Sequence, residues 1–584
     1  MTLSRRTLFR FAASIAVGSV VMSGCAQTDM EIKAPLSEQS IEIEMRDGVI
    51  LRGRFLQSSA GRGPVLVIRT PYGLDNTQWM IPPDILPISA VSNAGFSILL
   101  LDVRGTGTSD GTFEPLRYEI DDGEDTLKWV KAQPWSDGQI YAAGASYLGF
   151  TGFAMAVGDS SPAQGIIYVN TAADAYNGWY YSNGGVFSLE NTDRYALFNA
   201  GIAAMASGDT QTGELLMNMP KTQARLLAGT APTIDLTRDG ASWFEDIASH
   251  PFRDEYWETL SFSDRFENVS AAGLHIGGWF DFFATSTVSD FLALKSKART
   301  QFARENQYLI MGPWTHNSQT GEYDFHDFGP NAGAAAAGVK DRALTFLENN
   351  GSWPARAHVM YFDMGVNQWR SADTWPPAGT QNVSLYLSPE FQLSEASVEA
   401  GIMSLPFDLS SPVPTHGGRL LTIGDTWTDA GPRDQRDVES RSDVLSFDTP
   451  VFETDTPVAG NLTLEAFIST THADADLSVI ITDVAPDGTS RYLCDGIGRL
   501  SLRNGTKEKA EIESGEVYRL DVSAGVTANT IQAGHKLRVD LAASNFPNFE
   551  LNPHLVAAGV STGNHQIHLG EATPTRLIVP MIGG

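Results

Sequence analysis

Two cysteines in 584 residues, Cys25 and Cys494, leave room for at most one disulfide. A disulfide scaffold and a four-cysteine zinc site are therefore excluded. Cations are scarce as well: 40 Lys and Arg face 69 Asp and Glu, a formal charge of −29 that repels phosphate backbones and anionic headgroups. Nucleic acid is not an expected partner. The eleven histidines are dispersed, with no H-E-x-x-H spacing, so no metal site and no cofactor are expected. What is abundant is apolar: 42% of residues are hydrophobic and 10% aromatic against 19% charged, which is material for packed cores and not for disorder. At about 100 to 200 residues per domain, the length implies two to four domains. No apolar run reaches the roughly 20 residues that span a bilayer.

The one uncharged apolar run near the start, Phe11 to Met22, follows the twin arginine Arg5-Arg6. A basic region ahead of a short apolar one reads as a bacterial twin-arginine export signal. It ends in Met22-Ser23-Gly24-Cys25, which resembles a lipoprotein box: residues 1–24 are expected to be removed and Cys25 to carry lipid. The expected location is periplasmic or anchored at the outer membrane, with membrane contact only through that lipid. Cys494, whose neighbours Tyr492 and Leu493 favour burial, is then a lone thiol best kept buried.

After a polar tether over 25–39, Ile41–Met45 and Gly48–Gly53 read as a hairpin of edge strands. Val65–Arg69 and Phe96–Asp102 are continuous apolar runs of the kind buried on both faces of a sheet, with a helix over Asp121–Ala132. This rhythm of strand and helix predicts a parallel sheet over 40–155 and 255–373, interrupted by a helical cap insertion over 156–254. Within the second part an amphipathic helix is expected from Val288 to about Asn306. From 374 to 584, short alternating runs separated by Gly, Pro, Asp and Asn predict an antiparallel sandwich.

Gly144-Ala145-Ser146-Tyr147-Leu148-Gly149 sits where a buried strand runs into a helix, the place of a nucleophile elbow, although the second glycine stands one position later than in G-x-S-x-G. A serine hydroxyl needs a base, and the base an orienting carboxylate. On an α/β-hydrolase sheet these follow in the order Ser, Asp, His. Asp281 and His316 come in that order, each just after a buried strand, at the sheet edge where ligands bind. His326 is the alternative base. The glycine-rich stretch Arg104–Gly111 does not match a phosphate loop and reads as a turn in which Asp102 and Arg104 are structural.

The chain resembles the cocaine esterase and Xaa-Pro dipeptidyl peptidase family of serine hydrolases, whose relatives include α-amino-acid ester hydrolases and cephalosporin acylases. The resemblance rests on Arg69-Thr70-Pro71-Tyr72, Asp102–Gly111, Gln133-Pro134-Trp135-Ser136-Asp137-Gly138, the serine elbow, Gly278-Trp279-Phe280-Asp281, Gly312–His316, Gly534–Arg538 and Ser544–Phe549. It implies an α/β-hydrolase fold with a helical cap, followed by an all-β jelly-roll-like sandwich. It implies catalytic Ser146, Asp281 and His316, and an oxyanion hole formed by the Tyr72 phenol and the Tyr147 amide.

Trp179, Tyr180, Trp279 and Phe283 are expected to line the substrate pocket, favouring a bulky apolar or aromatic acyl group. Tyr181, Phe187 and Trp314 also stand in the sequence around the site. Esters are expected over amides, because an alkoxide leaves without strong protonation. The short tether speaks against the dipeptidase alternative, since the resemblance leads one to expect a sizeable helical domain ahead of the sheet. Asn177-Gly178-Trp179 stands where the ester-hydrolase relatives have Asp-Asp-Trp, leaving Asp174 or Glu190 to hold a substrate ammonium. A non-catalytic, glycan-binding surface lipoprotein is the alternative of another class.

Overall fold

The computed structural model describes residues 37–583 except 59–60, 76–80, 160, 218–240, 242, 354–356, 397 and 422–429. The export signal, Cys25 and most of the tether lie outside the described residues.

A ten-stranded mixed sheet organises the first two-thirds of the chain. Its strands are β1 (Ser37–Glu44), β2 (Ile50–Gln57), β3 (Gly63–Thr70), β4 (Ser97–Asp102), β5 (Ser136–Ala145), β6 (Ala163–Val169), β7 (Ala272–Phe280), β8 (Gln307–Thr315), β9 (Val359–Asp363) and β10 (Gln368–Ala372). Their order across the sheet is β1-β2-β4-β3-β5-β6-β7-β8-β9-β10. Only β1 and β10 are edges, so β2, which pairs with both β1 and β4, lies one strand inside. From β4 to β9 the neighbours run parallel. Every residue of β4, β7 and β8 is buried, which is why these segments read as unbroken apolar runs.

Helices α1 (Ile88–Asn93), α2 (Glu119–Ala132), α3 (Tyr147–Val157) and α4 (Leu189–Ala206) lie along the first half of the chain, and α5 (Ala284–Lys297) follows β7. The expected helix ends earlier than Asn306: Lys297 closes it, and after Ala298 leaves helical geometry, Thr300 caps a separate helix, Gln301–Glu305, by accepting from the Ala303 amide at 3.0 Å. The insertion also begins later than residue 156. β6 is a full member of the central sheet, and the cap starts after Val169, where a π-turn over Tyr176–Tyr180 leads into α4.

The rest of the chain packs a seven-stranded antiparallel sheet, centred on Thr456–Thr470, with a four-stranded one made of Leu445–Asp448, Lys536–Ala542, Asp476–Val484 and Ser490–Arg499. One hydrophobic core joins the parallel sheet to the cap. A second joins Trp279, Phe280, Leu309, Met311 and Phe362 of β7, β8 and β9 to the interior of the sandwich. The Asp363 carboxylate stitches the same seam by accepting from the Thr530 amide and hydroxyl at 2.8 and 2.7 Å. The cap rests on the sandwich too: Gly184 bridges to Gly498, and the Leu421 amide donates to Asn191 at 2.7 Å.

Candidate active site

Four parallel strands end at one edge with a candidate group just beyond each: Tyr72 after β3, Ser146 after β5, Asp281 after β7 and His316 after β8. Ala145 pairs with Val169, Val169 with Ile276, and Gly278 with Gly312, so the strand ends stand level. Residues far apart in sequence thus meet over one crevice.

Ser146 has φ 56° and ψ −123° between β5 and α3, a backbone state that costs about 1–3 kcal/mol unless its surroundings enforce it. The Ser146 amide donates to Val169 at 2.9 Å, and its carbonyl accepts from the amides of Gly149 and Phe150 and from the Thr171 hydroxyl at 2.9 Å. The displaced glycine now has a reason. A Cβ on Gly149 would stand 2.5 Å from the Thr171 side chain, and one on Gly144 would stand 2.3 Å from the Leu148 backbone. The tight approaches of this elbow fall at 144 and 149, and Leu148 takes the position that the common spelling gives to glycine.

The Asp281 carboxylate accepts from His316 Nδ1 at 2.9 Å, and both side chains are buried. With Nδ1–H on the carboxylate, Nε2 is left as the acceptor, the form a general base requires. Between β7 and β8 the register shifts at Gly278/Phe280, and such an irregularity turns the chain end that carries Asp281. Phe282 and Phe283 pack against the imidazole, with ring centroids 4.7 and 5.6 Å away. Sequence reasoning missed Asn170. Its side-chain amide donates to the His316 carbonyl at 2.9 Å, and its φ of 44° places it just past β6. An Asn closing a buried strand, tolerant of positive φ, was the available signal.

Tyr72 is 6% exposed and lies against Phe198, with ring centroids 5.4 Å apart. Burial pushes its phenol above the usual range, while hydrogen bonding to Tyr195 and Ser146 pulls the other way. The group is a neutral donor beside the serine. The Tyr195 hydroxyl next to it completes no hydrogen bond of good geometry. Tyr147 opens α3, where the first amides have no partner within the helix. Its phenol turns away, donating to Glu119 at 2.8 Å and accepting from the Leu116 amide at 2.9 Å, so only its backbone faces the crevice. Glu119 is in turn paired with the buried Arg69 guanidinium at 2.8 Å.

Of the expected pocket aromatics, Trp179, Tyr180 and Phe283 stand together: Trp179 stacks on Tyr180 at 4.5 Å and lies edge-on to Phe283 at 5.9 Å. Trp279 does not join them. Its ring lies in the core shared with the sandwich, donates to the Phe362 carbonyl at 2.8 Å and packs on Trp375. Trp314 is likewise internal, donating to Ala332 at 2.8 Å. Tyr181 and Phe187 pack on each other and on Trp257 and Phe244 inside the cap.

Asp174 accepts from the Tyr176 amide at 2.9 Å and lies 3.4 Å from Arg253, while Glu190 pairs with Arg194 at 2.8 Å. Asp174 is thus engaged, whereas Glu190 is paired through Oε1 and its Oε2 is buried with no hydrogen-bond partner among the described residues. Asp102 holds the glycine turn, accepting from the Thr108 amide at 3.1 Å, and Arg104 binds Asp122 and Asp47, each at 2.6 Å. His326 sits in the hairpin after β8 against Phe328, and burial lowers its pKa to about 4. A cavity of about 730 Å³ opens beside Tyr72. Leu74, Phe198, Ile202 and Met205 line it together with Arg54 and Asp102.

Comparison with known proteins places this geometry in context. A model described as X-Pro dipeptidyl-peptidase (S15 family) matches residues 47–318, and one described as X-Pro dipeptidyl-peptidase C-terminal non-catalytic domain matches 351–578. Cocaine esterase of Rhodococcus sp. (strain MB1 Bresler) is 29% identical over 586 residues, covering 93% of this chain and 98% of the relative. Among solved structures, an aminopeptidase from a marine sediment Thaumarchaeota archaeon superposes with a TM-score of 0.80 at 22% identity, over 96% of this chain and 99% of that one. An α-amino acid ester hydrolase does so at 0.75 and 20%, over 96% and 100%. At these identities the two structures bear on the fold alone.

Proposed function

The chain belongs to the cocaine esterase and X-Pro dipeptidyl-peptidase (S15) family of serine hydrolases, and from that premise we propose that Ser146, His316 and Asp281 hydrolyse a carboxylic ester through an acyl-enzyme. The observation that carries the assignment is the meeting of four groups from four strand ends: a serine on a strained elbow, a phenol bonded to it, and a histidine held at 2.9 Å by a buried carboxylate.

In this reading Ser146 Oγ attacks the substrate carbonyl while His316 Nε2 takes its proton. Asp281 keeps Nδ1–H in place and stabilises the imidazolium. The developing oxyanion is met by the Tyr72 O–H and the Tyr147 N–H, both fixed before reaction. Collapse returns the proton from His316 to the departing alkoxide, and water, deprotonated by the same histidine, then releases the acid. In the same reading the cluster of Trp179, Tyr180 and Phe283, which reaches the His316 ring through Phe283, supplies an apolar aromatic side for the acyl group, and the cavity beside Tyr72 offers space for a bulky substrate. The Arg253 guanidinium at Asp174 and the Arg194 guanidinium at Glu190 already balance these carboxylates, which disfavours an amino-group receptor at either. Ester hydrolysis is therefore ranked above release of Xaa-Pro dipeptides.

A fluorophosphonate probe tests the nucleophile: labelling of the wild type and none of Ser146→Ala is expected, and equal labelling of both would overturn the assignment. In a panel of aryl esters, amino-acid esters and Xaa-Pro anilides, faster turnover of the anilides would overturn the ester preference.

The proposed setting is an exported lipoprotein. Cleavage before Cys25 removes Arg5, Arg6 and Arg10 and no acid, so the mature chain carries 37 − 69 = −32 charges. Palmitate should label the wild type and not Cys25→Ser, and replacement of Arg5 and Arg6 by lysine should leave precursor in the cytoplasm.

A further inference from the structure

The acid of the triad is held from outside its own domain. Asp281 Oδ1 faces His316, but Asp281 Oδ2 is buried and has no hydrogen-bond partner among the described residues. No second donor fixes the carboxylate's direction, so the backbone of the turn from Trp279 to Thr285 must do so. That turn is braced internally by the Asp281 amide on Gly278 at 3.1 Å and the Ala284 amide on Asp281 at 2.9 Å. The Trp279 indole also donates to the Phe362 carbonyl at 2.8 Å, and a further polar contact comes from the sandwich side. Arg419, 7% exposed, donates through Nε to the Trp279 carbonyl at 3.1 Å and reaches the Thr285 hydroxyl with Nη1 at 3.5 Å.

The guanidinium is itself immobilised. Nη2 donates to the Val526 carbonyl, and the ring of backbone around it is so close that a Cβ on Gly525 would stand 2.1 Å from Nη1. The chain on either side of Arg419 is pinned as well: Gly418 pairs with Gly431, and the Leu421 amide binds Asn191 of the cap. A buried guanidinium is expensive to desolvate. Arg419 also lies near the buried Asp495 carboxylate and holds down its pKa, although burial raises that pKa overall. A charge balance with Asp495 explains why a cation is tolerated there. It does not explain why the planar fork reaches across the seam to both ends of the turn that bears Asp281.

We propose that Arg419 is a positioning residue for the triad, through which the C-terminal unit sets the direction of the Asp281 carboxylate and hence the orientation of His316. The inference rests on the reading of Asp281 as the acid. A displacement of about 1 Å at a catalytic group can cost up to about 100-fold in turnover.

The test uses the full-length enzyme, with active sites counted by fluorophosphonate titration and an aryl ester as substrate. Arg419→Met is expected to lower kcat per titrated site by about 10- to 100-fold with KM nearly unchanged. The acidic limb of the kcat profile should move to lower pH, because the imidazolium loses its well-placed counter-charge. Arg419→Lys keeps a cation beside Asp495 without the fork, so it should restore folding more fully than kcat, and it carries the test if the methionine variant does not fold. In an Asp281→Asn background, Arg419→Lys should cost little further activity, since both changes remove the same interaction. An unchanged kcat and pH limb per titrated site, or equal losses in the two backgrounds, would overturn the proposal. Wild-type labelling that Ser146→Ala abolishes keeps the hydrolase reading separate: its loss would sink that reading, whatever Arg419 does.

Discussion

Tyr72→Phe removes a single oxygen atom from the site and almost nothing else. The ring volume is kept, its contact with Phe198 is kept, and the position is 6% exposed, so little rearrangement is expected. The deleted hydroxyl is one of two donors assigned to the oxyanion, and loss of one such donor typically costs about 100- to 1,000-fold in kcat, or about 2.7–4 kcal/mol. The lower end is expected here, because the neighbouring Tyr195 hydroxyl, which hydrogen-bonds the Tyr72 phenol, can turn toward the vacated space. Steady-state hydrolysis of an aryl ester at several pH values, normalised to titrated sites, measures the effect. Since burial raises the Tyr72 pKa above its ordinary value, the phenol remains a protonated donor through pH 10, and the wild type should show no alkaline decline from its ionisation. A loss below about 10-fold, or one carried by KM with kcat intact, would refute the oxyanion role.

Asp281→Asn should lower kcat by about 1,000- to 10,000-fold, as expected when the imidazole loses the carboxylate that fixes its tautomer, while fluorophosphonate labelling slows in parallel. Gly149→Ala should lower stability by roughly 1–3 kcal/mol in denaturant titration, because its Cβ would press on Thr171 beneath the elbow; an unchanged midpoint would contradict the packing argument. Burial raises the Asp102 pKa from 3.8 to about 6, so the folded state holds a proton that the unfolded state has released between these values. Stability contributed by the protonated form is present below pH 3.8 and lost as pH rises through 6, with a ceiling of roughly 3 kcal/mol. Asp102→Asn should therefore gain on the wild type between pH 4.5 and pH 7.5, and a constant difference would refute the linkage. Burial pushes the Cys494 thiol up to about 12, so Ellman's reagent should leave the native protein unmodified and react fully only after unfolding.

The apolar runs that became β3, β4, β7 and β8 were legible because strands buried on both faces carry their signal in every residue. The acid and the base were legible for the related reason that each follows such a strand directly. Trp279 and Phe283 looked alike in sequence, two and two residues either side of Asp281, yet they face different cores. Trp279 still belongs to the strand, whereas Phe283 lies beyond the turn, and residue spacing does not say where alternation stops. The cap was expected from 156 because the apolar run Ile166–Val169 is followed by helical segments and no further buried strand until β7, so the boundary fell ahead of β6 instead of after it. Asn170 and Arg419 left no periodic trace. Each acts through a backbone carbonyl, on His316 and on Trp279, and partners of that kind are fixed by tertiary approach alone.

β6 and β7 are hydrogen-bonded neighbours at the centre of the sheet, yet the whole cap lies between Val169 and Ala272 in the chain. Bringing those two ends together means closing a loop of roughly a hundred residues, at an entropic cost on the order of 4 kcal/mol beyond the constant for any loop. The serine lies on one side of that junction, and the aspartate and histidine lie on the other. The elbow at Ser146 can therefore form early, from β5, α3 and the adjoining end of β6, while the assembled triad has to wait for one long-range pairing. During folding, recovery of activity should lag behind recovery of helix, with the delay set by the time the chain takes to find that single strand-to-strand match.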